Sequence, residues 1–349
     1  VIGRRTSTRA VAPDSVDLRR SCRDAVAGAR RGNATRRVAA RITALRGQRG
    51  AALLMALLAV ALAVLLATAL IDTGEASRAR LRDQWRAEQS WQLMTGLELW
   101  AAELLRADHL ASPGFDTLDD ALTRPLPEIE VPGARISGRL RDLGSCFDLN
   151  RLAPLGQPDP ASIEGFRSLL GSLRLDPRIA DQAADWIDVD GQPQSAGAED
   201  AVYAGTRPAG RAGNTAMVHG SELKRLPTVD AAAWLALQPF LCALPEPTPV
   251  NLNTAPPEVW LTVFPGLDLA RARRLARQPG SAYRSTEALT AALAREDQPA
   301  PDPRRAGLSS RYFLAEARIE ADGIDFLYSS LLERDGERVR VLGRARGIW

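Results

Sequence analysis

Residues 51–71, AALLMALLAVALAVLLATALI, constrain this chain more than any other stretch: 21 consecutive residues carry no charge, and Asp72 closes the run. At 1.5 Å per residue a helix of that length is about 30 Å long, enough to cross the hydrocarbon core of a bilayer once. No second run of comparable length follows, so the sequence describes one membrane helix and one large C-terminal body. Arg36, Arg37, Arg41, Arg46 and Arg49 all precede the run, which predicts a cytoplasmic N-terminus and an exterior C-terminus.

The charge balance makes sense only after division at this point. Residues 1–50 hold 13 Arg against 3 Asp, a net +10, in a chain whose total is +3; residues 51–349 therefore carry −7. Read over the whole chain, a basic balance suggests a nucleic-acid partner. The divided chain puts that balance in the leader and leaves an acidic body.

Periodicity organises the body. Leu81, Trp85, Trp91, Leu93, Met94, Leu97, Leu99, Trp100, Leu104 and Leu105 recur amid Arg and Glu, and are expected to form one apolar side of a continuing helix. Ser112-Pro113-Gly114 ends that helix. Pro125 to Gly133 reads as a Pro-rich turn region, and residues 135–140 alternate like a half-buried strand. Short helices broken by Pro and Gly fill roughly 160–300 by the same periodicity rules. Alternation returns in Tyr312–Glu320, Phe326–Glu333 and Val339–Leu342, separated by Asp322-Gly323 and Asp335-Gly336, a strong hairpin signal. The expected fold class is α+β: a long N-terminal helix, an antiparallel sheet formed late in the chain, and a helical block lodged between.

Three readings of the N-terminus compete. A signal peptide has a shorter apolar core, and Ala67-Thr68-Ala69 matches its cleavage site only weakly. A plain signal anchor fits the composition. The third reading rests on Gly50, which stands directly between the basic segment and the apolar run. It resembles the prepilin leader, cut by a prepilin peptidase after a Gly, here between Gly50 and Ala51.

The whole outline resembles one family, the type K minor pseudopilins of the type II secretion system. The segments that carry the resemblance are Arg49-Gly50-Ala51-Ala52-Leu53-Leu54, Cys146-Phe147-Asp148-Leu149-Asn150, Asp185-Trp186-Ile187-Asp188-Val189-Asp190 running on to Gly197-Ala198-Glu199-Asp200 and Tyr203, and Val250-Asn251-Leu252-Asn253-Thr254-Ala255-Pro256-Pro257-Glu258. Their order and spacing cover nearly everything after residue 45. Most pilin-like proteins have Glu as the fifth mature residue; counting from Ala51, the fifth here is Met55, and the type K subunit similarly lacks the Glu. A carboxylate in hydrocarbon is expensive unless paired, so a subunit never placed beneath another at that contact has no need of it.

The resemblance implies a pilin-like domain with an inserted all-α domain, SAM-like or helix-hairpin-helix-like. The expected divisions are a leader over 1–50, a transmembrane segment over 51–71, a helix extension and first strands over 72–150, the insert over 151–300, and closing strands over 301–349. It implies a subunit that caps the tip of the pseudopilus and helps initiate its assembly for protein export. Minor pseudopilins of types I and J, the prepilin peptidase and the inner membrane are the implied partners, with the body in the periplasm. No nucleic acid and no small-molecule substrate are expected. The leader would be removed and the new terminus methylated.

Asp185, Asp188, Asp190, Glu199 and Asp200 place five carboxylates within 16 positions, with Gly191 and Gly197 permitting sharp turns. Hard cations such as Ca²⁺ take six to eight oxygens from flexible acidic loops. Spacing alone leaves two readings open, a metal loop and a solvated or helix-capping acidic turn. The resemblance favours calcium, which the family's helical domain binds. His109 and His219 are far apart and far from the loop, and no Cys pair has ligand spacing, which disfavours a transition metal.

Cys22 lies in the leader, leaving Cys146 and Cys242. A periplasmic location favours a disulfide between them; two separately buried thiols are the alternative, and geometry decides. The sharpest functional rival is a membrane-anchored DNA receptor for DNA uptake. Asn253-Thr254-Ala255 and Phe264-Pro265-Gly266-Leu267-Asp268 resemble a helix-hairpin-helix, with Arg271, Arg273, Arg274 and Arg277 as a basic face. The second Gly of a phosphate-binding turn is Asp268 here, which sets negative charge against a phosphate. No Gly-x-Ser-x-Gly elbow, P-loop or His-Glu-x-x-His is present, and the chain is expected not to be an enzyme.

Overall fold

The computed structural model describes residues 48–118, 125–277 and 280–347, so most of the basic leader lies outside the described residues. The chain divides into two compact units, Val1–Glu75 and Ala76–Trp349. In chain order its elements are α1 (Gln48–Ala111), β1 (Leu126–Val131), β2 (Ala134–Asp142), β3 (Phe147–Asp148), α2 (Pro160–Ser172), α3 (Arg178–Ile187), α4 (Asp200–Ala204), α5 (Ala231–Leu237), β4 (Leu241–Cys242), β5 (Val250–Asn251), α6 (Pro257–Val263), α7 (Leu269–Leu275), α8 (Thr286–Ala294), β6 (Ala306–Gly307), β7 (Tyr312–Ala321), β8 (Ile324–Asp335) and β9 (Arg338–Arg346).

In the first unit, α1 exposes every large apolar side chain from Leu53 to Ile71. It is the one helix among the described residues long and apolar enough to cross a membrane, and none of its apolar window is buried. Polar groups in and beside the run are satisfied within the helix. Thr68 Oγ1 donates to the Leu65 carbonyl and Thr73 Oγ1 to the Ala69 carbonyl, both at 2.9 Å. A lipid-facing helix requires that internal satisfaction, because hydrocarbon offers no hydrogen bonds.

The second unit is built on a five-stranded antiparallel sheet, ordered β1-β2-β7-β8-β9. Asp322 and Gly323 turn β7 into β8 with φ of 49° and 77°, the left-handed pair that a tight hairpin demands. The stretch read as a Pro-rich turn is itself a strand, β1, turned into β2 through Gly133 at φ 81°. Pro127 is tolerated because β1 is an edge strand, where one flank of the backbone needs no ladder partner.

The stripe of α1 that meets the sheet is narrower than the sequence pattern. Ser90, Met94, Glu98, Ala101 and Leu105 are buried at helical spacing. Met94 packs with Ile136, Ile319 and Tyr328; Ala101 and Leu105 pack with Leu140, Phe313 and Leu332. Leu81, Trp85, Leu99 and Trp100 stand exposed on other sides, Trp85 at 75 %. The expectation of one apolar side is corrected here: about a third of a helix's circumference suffices to bury it on a sheet, and these four residues fall outside that arc.

The chain leaves the sheet at the end of β2 and returns at β7, and the helices lie between. Their core joins Phe147, Leu149, Phe166, Leu170, Ile179, Ile187, Val259, Trp260 and Leu289 in one cluster. Two short parallel pairs close it, β3 with β4 and β5 with β6. Leu143, Cys146, Cys242, Leu244, Tyr312, Leu314 and Leu331 form the apolar seam where this body meets the sheet.

Candidate metal centre

The acidic loop begins on α3, which carries Asp181 and Asp185 one turn apart, with Asp188 capping its C-terminal end. Asp185 folds the following chain back on itself. Its Oδ1 accepts from the Gln194 amide at 3.0 Å, and its Oδ2 from the Ala198 amide at 2.7 Å. Gly197 is required at that bend, because a Cβ there would collide with Asp185 Oδ2. The loop then delivers Glu199 to the start of α4.

Asp185, Asp188 and Glu199 are all buried, and one carboxylate oxygen from each lies within 4.8 Å of the others. Asp188 is fully buried, and neither of its oxygens has a hydrogen-bond partner; Glu199 Oε1 and the Tyr203 hydroxyl are buried and unpartnered as well. Burial pushes the Asp188 carboxyl up to about 7, reinforced by the negative charges of Asp185, Asp190 and Glu199. Burial likewise raises Asp185 and Glu199, with neighbouring acids adding to both. The Tyr203 phenol is raised by burial and then by Asp185 and Glu199. No cation is among the causes of any of these shifts.

A desolvated carboxylate without partner is costly; Asp188 is one, Glu199 is half of one, and the converging charge of Asp185 adds repulsion. A hard divalent cation answers both defects, since it ligates orphaned oxygens and cancels their repulsion. The donors are all oxygen, which suits Ca²⁺ or Mg²⁺ and not a thiolate- or imidazole-seeking metal. These residues fit such an ion.

The structure brings three of the five sequence candidates together and leaves two outside. Asp190 is exposed, with Oδ1 accepting from the Gln192 amide at 2.8 Å. Asp200 is exposed at the start of α4, with Oδ1 accepting from the Ala212 amide at 2.9 Å. The first bond closes a local turn and the second ties α4 to the chain twelve residues on; Asp190 acts on the triad only through its charge.

Elsewhere, Cys146 and Cys242 form a disulfide, Cα atoms 5.9 Å apart and 96 positions apart in sequence. Gly50 and Ala51 lie exposed near the start of α1. The helix-hairpin-helix arginines are largely engaged. Arg274 pairs with Glu296 at 2.7 Å, the Arg277 guanidinium lies 3.9 Å from the Tyr283 ring centre, and Arg271 lies 3.5 Å from Asp268. Asp268 itself caps α7 by accepting from the Arg271 amide at 2.8 Å.

Glu98 and Asp116 gave no sequence signal, and Asp148 was visible only as part of a motif. Glu98, 3 % exposed on α1, accepts from Arg344 at 2.7 Å and from the Ser330 hydroxyl. Asp116 is clamped by Arg334 Nη2 at 2.6 Å. At the seam, Asp148 Oδ1 accepts from the Asn150 and Leu244 amides at 3.1 and 3.0 Å, while burial pushes its carboxyl up to about 7.

A long helix with a bare apolar end, laid on an antiparallel sheet that opens to admit a helical body, defines a pilin-like subunit with an insert. Residues 145–246 match the family model of type II secretion system protein K. Type II secretion system protein K of Klebsiella pneumoniae is 32 % identical over 323 residues, spanning 86 % of this chain and 97 % of that protein. The protein of the same name from Pseudomonas aeruginosa is 31 % identical over 316 residues, spanning 86 % and 94 %. The crystal structure of the GspK-GspI-GspJ complex from enterotoxigenic Escherichia coli shares the fold. That match has a TM-score of 0.67 at 23 % identity and covers 77 % of this chain and 100 % of the matched one. The chain belongs to the type II secretion system protein K family, and it is a minor pseudopilin.

Proposed function

We propose that this pseudopilin caps the pseudopilus tip and helps initiate its assembly, after cleavage between Gly50 and Ala51 by a prepilin peptidase. The observation that carries the reading is the helical body lodged between β2 and β7 of the pilin-like sheet. A subunit enlarged in this way is poorly suited to repeat along a shaft and well suited to end one. The apolar half of α1 holds the subunit in the inner membrane before assembly, with the body in the periplasm. Minor pseudopilins of types I and J are its partners, as the complex containing the fold neighbour suggests. They pack on the α1 surface that the sheet leaves bare, around Trp85, Leu99 and Trp100.

Asp185, Asp188 and Glu199 hold Ca²⁺, supported by their convergence and by the unpartnered buried oxygens of Asp188 and Glu199. The ion's role is structural: it neutralises the triad and locks the loop over residues 189–199. The family is a structural component of the secretion machinery, and the chain acts here as a peptidase substrate and not as an enzyme.

N-terminal sequencing from membranes with and without the prepilin peptidase tests the core of this reading. The mature form begins at Ala51, and Gly50→Val leaves the long form uncut and unassembled. Residues 40–50 intact on the mature wild-type protein would overturn it. The DNA-uptake alternative has its own readout, duplex binding that weakens steeply with salt and is lost on reversing Arg271, Arg273 and Arg274 to Glu.

A further inference from the structure

Beside the acidic loop lies a half-open cleft of about 720 Å³, within the range of natural ligand pockets. Trp186 and Tyr203 form its inner wall, their rings in edge contact with centroids 5.2 Å apart. One side is the segment from Thr206 to Arg211, and the other is the short helical turn Gly220–Arg225. Two hydrogen bonds tie the first side to the loop, from the Ala212 amide to Asp200 Oδ1 and from the Asn214 amide to the Trp186 carbonyl, both at 2.9 Å.

Charge sets this cleft apart from the acidic body around it. Arg211, Lys224 and Arg225 line it, all exposed, and Lys224 is the chain's single lysine. Its one acid, Glu222, is spent on the protein. Oε2 accepts from the Trp186 indole N–H at 3.2 Å, and Oε1 accepts from the Val218 and His219 amides at 2.7 and 3.2 Å. The side chains of Arg211 and Arg225 have no ion pair or hydrogen bond among the described residues. The Lys224 ammonium lies 4.9 Å from the Trp234 ring centre, with no carboxylate on it. Three cations thus face a concave surface that supplies them no free anion.

We propose that the cleft binds an acidic peptide segment, with its carboxylates on Arg211, Lys224 and Arg225 and its chain against Trp186. A phosphate site gathers backbone amides around one anion, commonly at a helix start or in a nest. Here the cations are side chains from two segments, Arg211 on one and Lys224 and Arg225 on the other, beside an aromatic wall. Spaced positive groups above a mixed polar and apolar floor suit an extended chain that carries carboxylates along its length. The cleft shares Tyr203 with the surroundings of the triad, but its cations lie outside the triad.

The test titrates the full chain in detergent micelles with a blocked, labelled peptide of alternating Gly and Glu, and with its Gly-Gln counterpart. The Glu peptide binds, perturbs Trp186 fluorescence, and weakens about tenfold between low and roughly 0.3 M salt. The Gln peptide binds at least about tenfold more weakly. Arg211→Gln with Arg225→Gln loses a similar factor at an unchanged melting temperature, since both side chains are exposed; Lys224→Gln alone gives a smaller loss in the same direction. Equal binding of the two peptides, undiminished binding by the double variant, or inorganic phosphate competing as well as the Glu peptide would each overturn the proposal.

Discussion

The sheet and the helical body both bury carboxylates, and they treat them in opposite ways. Around the sheet, three are matched by guanidinium groups from other elements: Glu98 by Arg344, Asp116 by Arg334, Glu333 by Arg311 and Arg340, while Asp142 is held by Thr254, Asn251 and the Gly144 amide. In the helical body, Asp181 has Arg167, but Asp185, Asp188 and Glu199 have only one another. The first region is electrostatically finished by its own sequence. The second is left unfinished by its own residues, and the proposed cation would complete it. The contrast separates a fold that stands on internal pairs from a loop whose acids lack them.

The comparison breaks first at Arg334. It and Asp116 are both almost wholly buried, and Arg334 Nη2 also donates to the Ser310 carbonyl at 2.9 Å. Removing one partner of a buried pair strands the other, so Arg334→Leu is expected to cost about 3–5 kcal/mol in denaturant unfolding. Arg334→Leu with Asp116→Leu, which removes both charges, recovers much of that. A single variant within about 1 kcal/mol of wild type would mean the sheet's pairs are no better finished than the triad.

The disulfide, which ties two distant stretches of chain together at the seam between the helical body and the sheet, ranks next. Its cysteines are 96 positions apart, and Cys146→Ala with Cys242→Ala is expected to lose about 3 kcal/mol. Free alkylation of both thiols in oxidised native protein would remove the bond and this effect together.

Calcium sharpens the contrast directly. Protein stripped by chelator is expected to gain about 2–3 kcal/mol at Ca²⁺ roughly 100-fold above its dissociation constant, with Mg²⁺ giving less because it demands a tighter shell. Asp188→Asn loses the response while leaving the sheet intact. A melting temperature indifferent to millimolar Ca²⁺ would reduce the triad to a costly acidic turn.

The smallest effect is on pH. Asp148 and Asp142 have folded carboxyls raised to about 7 and about 6, burial being the first cause for each. The unfolded chain releases those protons near pH 4, so between there and about pH 7 the folded state holds more protons and stability falls as pH rises. Asp148→Asn keeps an oxygen for the Asn150 and Leu244 amides and removes the charge. It is expected to flatten that slope and raise the melting temperature by about 3 °C above pH 7. An unchanged slope would show that Asp148 is ionised at no cost.

Legibility followed the range of the interaction. The 51–71 run, the hairpins at Asp322-Gly323 and Asp335-Gly336, and the strands β2, β7, β8 and β9 are local patterns, and they stand in the structure where they were read, although β8 is buried without alternation from Tyr328 to Arg334. β1 was missed because Pro127 and Pro132 argue against a strand until its edge position is known. The acidic loop was visible as five carboxylates, yet which three converge depends on how Asp185 bends the chain through the Gln194 and Ala198 amides. Tyr203 was visible only as part of a motif, and its unpartnered hydroxyl only once folded.

By itself, then, the sequence determined one membrane-length helix, an antiparallel sheet and an acidic loop. Each follows from periodicity or composition over a few neighbouring residues. Tertiary structure alone decided which acids are neutralised and which are not. Glu98 meets Arg344 across 246 positions, and Asp116 meets Arg334 across 218. Asp188 meets only other acids. Coulomb and desolvation energies depend on distance in space and on burial, and neither is written in the order of the residues.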